Sequence, residues 1–131
     1  MSPLFDKKCM TEEDIKLNYI TPALHARGWK DRITMETAVF FTDGQITLRG
    51  NVAVRAERKK ADYVLYLNAG TPIAIVEAKD NKHSVSDGLG QAKEYARHLD
   101  VPFAYSSNGD AFTEYDFLTG IEKTIPLDQF P

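Results

Sequence analysis

The positions richest in chemistry lie where an apolar strand ends. Ile73-Ala74-Ile75-Val76 is followed at once by Glu77-Ala78-Lys79. Side chains alternate along an extended chain, so Glu77 and Lys79 point to one face. Alone, a Glu-X-Lys is most simply a local ion pair where a strand emerges into water. The preceding segment changes that reading. Asp62 opens Asp62-Tyr63-Val64-Leu65-Tyr66-Leu67, and a turn at Asn68-Ala69-Gly70 leads into the strand that carries Glu77. If these strands pair as a hairpin, counting inward from the turn brings Asp62 level with Glu77 and Lys79.

Such a grouping has a defined chemistry. Magnesium prefers carboxylate oxygens and fills the rest of its octahedron with water and phosphate oxygens. Beside it, an ammonium stabilises negative charge developing at the phosphate. These residue types are those that phosphodiester hydrolysis requires. Just upstream, Arg55, Arg58, Lys59 and Lys60 stand against one acid, Glu57. Lysines there suit a solvated hairpin edge, but a basic run entering directly on Asp62 also suits a grip on a DNA backbone.

The elements that must position these groups read as an α/β arrangement. Thr11 to Arg27 is expected to be a helix, with Thr11 as N-cap, Glu12, Glu13 and Asp14 in the first turn, and Gly28 as the stop. Ile15, Tyr19, Ile20 and Leu24 form its apolar stripe, and Pro22 predicts a kink. Short strands are expected at Thr37 to Phe41, Gln45 to Leu48 and Val52 to Val54, with Asp43-Gly44 as a turn. Ala61 to Leu67 is a clearer strand. Ile73 to Lys79, apolar on both faces at its start, suits a central strand covered on both sides. Ser86 to Leu99 is a second helix, with Leu89, Ala92, Ala96 and Leu99 inward. A strand at Val101 to Ser107 follows, then a turn at Asn108-Gly109, and Phe112 to Tyr115 with Phe117 to Ile121 reads as a closing hairpin. The order predicts a mixed central sheet flanked by helices.

Several stretches together resemble a known family. Asp62 followed by Glu77-Ala78-Lys79 on the next strand resembles the motif of the PD-(D/E)XK nucleases, although Ala61 stands where the proline of the motif's name would be. Ala61-Asp62-Tyr63-Val64-Leu65, Val76-Glu77-Ala78-Lys79, Gly90-Gln91-Ala92-Lys93-Glu94-Tyr95-Ala96 and Ser107-Asn108-Gly109 resemble the N-terminal nuclease domain of type I restriction subunits. Thr11-Glu12-Glu13-Asp14 and Gly28-Trp29 match the way that domain begins, so the resemblance runs from about Thr11 to Gly120. It implies a restriction-endonuclease-like core and a magnesium-dependent DNA endonuclease, with manganese expected to substitute. Asp62 and Glu77 would bind metal and Lys79 would assist the attack. Gln91 and Tyr95 match the Gln-X-X-X-Tyr motif of this branch. Positions i and i+4 share a helix face, so both can reach toward the site. Glu12 corresponds to the acidic residue on the first helix that joins the metal shell, with Glu13 as the alternative.

The resemblance also implies partners. Type I restriction subunits carry a helicase-like motor after this domain, so residues 1–131 are expected to be a single endonuclease domain at the front of a longer subunit. No Gly-X-X-X-X-Gly-Lys-Ser/Thr loop is present, and ATP would act only through that motor. Double-stranded DNA is the expected substrate, and modification and specificity subunits are the expected partners.

Composition narrows the field. A net charge of −3 argues against a protein that simply coats nucleic acid. Cys9, the lone cysteine, can form no internal disulfide, and with no apolar membrane span a cytoplasmic setting is expected. His25, His83 and His98 lack companions and read as surface residues, and Trp29 reads as a packing anchor. Two other readings compete: a nuclease of the same superfamily serving recombination or repair, and a non-catalytic module that binds DNA or partner subunits. The latter's signature would be loss of Asp62, Glu77 or Lys79, and all three are present. Because Glu77 and Lys79 fall at a strand end, both are expected to lie outside the apolar core.

Overall fold

The N-terminal helix forms where its capping residues predict, but in three pieces. In the computed structural model, residues 6–41 and 57–131 are described, with side chains described over 6–37 and 60–131. Helix α1 (Glu12–Ile15) opens on a capping box, in which Thr11 Oγ1 accepts from Asp14 N and the Asp14 carboxylate accepts from Thr11 N. A π-helical turn at Lys16–Ile20 follows, then α2 (Thr21–Ala26) with Pro22 in its first turn. The kink expected at Pro22 is thus taken up by a widened turn just upstream, which gives the ring room against the preceding carbonyls. Gly28, at φ +90°, ends the helix.

Six strands form one sheet in sequence order: β1 (Ile33–Phe41), β2 (Glu57–Asn68), β3 (Thr71–Ala78), β4 (Phe103–Ser107), β5 (Ala111–Asp116) and β6 (Ile121–Pro126). Neighbours are antiparallel except β3 and β4, which run parallel and are joined by the crossover helix α3 (Leu89–Leu99). The mixed sheet flanked by helices is therefore as predicted.

Three boundaries differ from expectation. Strand β1 starts four residues before Thr37. Helix α3 starts at Leu89 rather than Ser86, because Asp87 accepts from the Ser84 backbone and hydroxyl and lies 3.0 Å from His83 Nδ1, holding the preceding residues in a turn. Phe117 to Ile121 is mostly turn: Asp116 Oδ1 accepts from Leu118 N, Gly120 takes φ +74°, and β6 begins only at Ile121. The expected strands at Gln45 to Leu48 and Val52 to Val54 lie outside the described residues.

Two apolar layers sandwich the sheet. On one face Ile15, Ile20 and Leu24 pack with Tyr63, Leu65, Val76, Phe112 and Phe130. On the other, Leu89, Ala92, Tyr95 and Ala96 of α3 pack with Val64, Ile75 and Ala104. Strand β3 contributes to both, as its two-sided apolar run predicts. Trp29 anchors the end of the first helical unit, meeting the Phe130 ring edge-on at 6.4 Å. His25, His83 and His98 are exposed.

Candidate active site

Strands β2 and β3 part at the carboxylates. The β2–β3 ladder runs to Tyr63 opposite Val76, one residue short of Asp62 and Glu77. There side chains take over the cross-strand bonding. Glu77 Oε2 accepts from Asp62 N at 2.8 Å, and Asp62 Oδ2 accepts from Ala78 N at 2.8 Å. Each carboxylate is thus oriented by the other strand's backbone, and the hairpin register brings them together as expected. Lys79 lies just past β3, its backbone donating to Ser107 O at 2.9 Å. One expectation fails. Glu77 is 3% exposed and belongs to the buried interior, while Lys79 is only half-buried.

Burial pushes the Glu77 carboxyl up to about 9, with the Asp62 charge adding to the rise. The hydrogen bond from the Asp62 backbone works the other way, and a hydrogen bond between the two side chains favours a proton held on Glu77. Glu12, on α1, is also raised, first by burial and then by Asp62, against the opposing pull of Lys16 and Lys79. Glu12 thus feels Asp62, Lys16 and Lys79, and Glu77 feels Asp62 and Glu12.

A pH dependence follows. A metal would need Glu77 as carboxylate, whereas burial beside Asp62 favours its protonated form. Binding should therefore release a proton, and affinity should climb as pH rises. Without metal the sign for stability is the reverse. The folded value lies above the ordinary 4.5, so the contribution of Glu77 is complete below 4.5 and is lost as pH rises through about 9. Calorimetric titration with Mn2+ in buffers of different ionisation enthalpy would measure the proton; buffer-independent heats would contradict this assignment.

Sequence reasoning missed two residues here. Lys16 is 1% exposed, with Nζ 2.6 Å from Glu36 Oε1, 2.9 Å from Glu13 Oε1 and 3.4 Å from Asp62 Oδ1. Burial works against its charge, but the hydrogen bonds to Glu36 and Glu13 and the Asp62 charge outweigh it and hold its pKa above the ordinary lysine value. Glu36 adopts φ +53°, rare for a residue with a side chain, and the β1–β2 ladder passes from Met35–Tyr63 to Thr37–Ala61 in unchanged register with Glu36 itself unpaired in it. A signal for Lys16 existed: it falls between Ile15 and Tyr19 in the apolar stripe, four residues after Glu12. Glu36 had none, since its backbone conformation is tertiary in origin.

Helix α3 brings Gln91 and Tyr95 together, the one exposed and the other buried. Gln91 Nε2 donates to Tyr95 OH at 3.0 Å, and the hydroxyl donates to Lys60 O at 3.2 Å. Gln91 is exposed, whereas Tyr95 is buried and ties α3 to β2 two residues before Asp62. Residues 79–88 are held against the sheet by Gly88 N donating to Ser106 Oγ and by Asn108 Nδ2 donating to His83 O. A Cβ on Gly88 would come within 2.9 Å of Ser106 Oγ and 3.4 Å of Glu77 Cβ, so this close approach requires glycine. Of the basic run, Lys60 is exposed on β2, Arg58 and Lys59 belong to that strand, and Arg55 lies outside the described residues.

The donor set fits magnesium. Among the described residues, no group of three His, Cys, Asp or Glu side chains forms a ready-made metal cage. A pair of converging carboxylates that crowd enough to retain a proton is what a magnesium ion, completed by water and phosphate oxygens, would relieve.

The same segment recurs in known proteins. The sequence model described as the N terminus of type I restriction enzyme R proteins matches residues 33–131. The chain belongs to this family. A curated relative, the type I restriction enzyme EcoAI endonuclease subunit of Escherichia coli, is 43% identical over 126 residues. That alignment covers 93% of this chain and 16% of the relative. A solved fragment of an HsdR subunit of a type I restriction enzyme from Vibrio vulnificus YJ016 is 40% identical, with a TM-score of 0.75 over 93% of this chain and 24% of that one. The chain thus spans a minor part of each of these R-family relatives. Asp62, Glu77, Lys79, Gln91 and Tyr95 lie inside the family match; Glu12 and Lys16 precede it.

Proposed function

We propose that this R-protein N terminus is the magnesium-dependent DNA-cleaving domain of a type I restriction system. The observation that carries the reading is the cross-strand exchange in which Asp62 and Glu77 each accept the other strand's N–H at 2.8 Å, with Lys79 on the next turn of chain. Asp62 and Glu77 hold the metal, and Glu12 faces it from α1. When bound, magnesium polarises the scissile phosphate and lowers the pKa of a coordinated water. Lys79 stabilises charge developing on the phosphate, and Gln91 contacts the DNA backbone from the exposed face of α3. Tyr95 positions the strand that carries Asp62 through the Lys60 carbonyl. Lys60, with Arg55, Arg58 and Lys59, grips the duplex beside the site.

The wider assembly follows from the family. Modification and specificity subunits would supply recognition, and a motor in the same subunit would couple ATP to DNA movement. No helix among the described residues is long and apolar enough to cross a membrane, and a cytoplasmic location fits an enzyme that cuts DNA.

Lys79→Met separates chemistry from binding. The variant should bind Mn2+ as the parent does, yet nick plasmid DNA about 10²- to 10³-fold more slowly, the scale of losing one transition-state stabiliser. Parent-like nicking by this variant would remove Lys79 from the mechanism.

A further inference from the structure

Lys16 is a cation already seated among carboxylates. Its Nζ is surrounded by oxygens of Glu36 at 2.6 Å, Glu13 at 2.9 Å and Asp62 at 3.4 Å. The shared oxygen is Asp62 Oδ1, while Asp62 Oδ2 accepts from Ala78 N on the Glu77 side. Asp62 therefore stands between two acidic groups. On one side is Glu77, whose Oε2 accepts from Asp62 N. On the other side are Glu13 and Glu36, with the Lys16 ammonium among them. Buried lysines are uncommon and require partners. This one is 1% exposed and reaches its partners because Glu36 leaves the regular strand conformation at φ +53°, where it is unpaired in the β1–β2 ladder. Backbone of that kind is retained where the surrounding structure requires it.

We propose that Lys16 is a positioning residue that acts as a built-in cation: it fills the Glu13–Glu36 side of Asp62, so that the site admits a single divalent ion, between Asp62 and Glu77. This rests on the metal-binding reading above. A fixed monovalent charge at Asp62 Oδ1 repels a second divalent ion there and leaves the Glu77 side free. Removing the ammonium while keeping the stem would leave the Glu13, Glu36 and Asp62 oxygens, now 2.9, 2.6 and 3.4 Å from Nζ, without a counterion; they form no ready-made cage, so a second divalent ion would draw them together and complete its shell with water. The half-exposed Glu36 and the exposed Glu13 can still reach solvent when the ammonium is removed.

The test is the Mn2+ stoichiometry of the parent chain, Lys16→Met and Lys16→Arg, counted by electron paramagnetic resonance of free Mn2+ and by calorimetry. The parent and Lys16→Arg should each take up one ion, because both keep a cation at Asp62. Lys16→Met should take up two. Two ions in the parent chain, or one in a folded Lys16→Met, would overturn the role of Lys16 while leaving the metal site intact. No ion in the parent would remove the metal site itself, and this proposal with it. If Lys16→Met does not fold, Lys16→Gln, which removes the charge but keeps a polar group at the same depth, takes its place: two ions support the role of Lys16 and one overturns it.

Discussion

Glu77→Gln should leave the domain folded, remove its metal and reduce cleavage by at least about 10³-fold, the scale of losing a principal electrostatic group. The amide has the shape of the acid, and its oxygen can still accept from Asp62 N, the bond that Glu77 Oε2 makes at 2.8 Å. It cannot ionise, so the cost of burying a charge there, and of placing it beside Asp62, no longer applies. The metal-free variant should therefore be more stable than the parent at neutral pH, and its stability should no longer fall as pH rises toward about 9. Glu77→Ala should lose cleavage equally but also lose stability, by about 1–3 kcal/mol, because the part-buried Asp62 N–H is left without its acceptor. Mn2+ calorimetry, plasmid nicking and urea unfolding together read all three quantities. A Glu77→Gln chain that still binds Mn2+ with parent affinity would show that the carboxylate is structural.

The second large effect lies in the core. Phe130 stands one residue from the end of the chain, yet it is 1% exposed and packs at 4.7 Å from the rings of both Tyr105 and Phe112. Arg27 Nε donates to its carbonyl at 2.7 Å, so the segment is tied to the end of α2 as well as to the sheet. Phe130→Ala should cost about 3–5 kcal/mol, the range for emptying a buried aromatic position. Chemical denaturation of the two chains measures it. A loss below about 0.5 kcal/mol, ordinary for a surface substitution, would mean that the C-terminal segment is not part of the core in solution.

Much of this protein is written in local pattern. The N-cap at Thr11, the two-sided apolar run before Glu77 and the shared helix face of Gln91 and Tyr95 each depend on neighbours within a few residues, and each forms as its residues predict. The level of Asp62 against Glu77 was also legible, because a short turn determines the register of the hairpin it closes. Local pattern failed where a competing hydrogen bond or a turn residue intervened. Asp87 delays α3 and Asp116 delays β6, each by capturing nearby backbone N–H groups that the element would otherwise use.

What tertiary structure alone decided is the electrostatic state of the site. Glu77 reads as a strand-end acid, but the folding of α3 and the loop before it over that strand buries it, and burial beside Asp62 is what raises it. Lys16 and Glu36 are twenty positions apart and meet only because a helix crosses one face of the sheet while β1 breaks its ladder at a left-handed residue. Residue types and spacing can name the groups that do the chemistry, since catalysis requires particular functional groups. They cannot state how those groups are charged, because that depends on distances and solvent exclusion between segments remote in the chain.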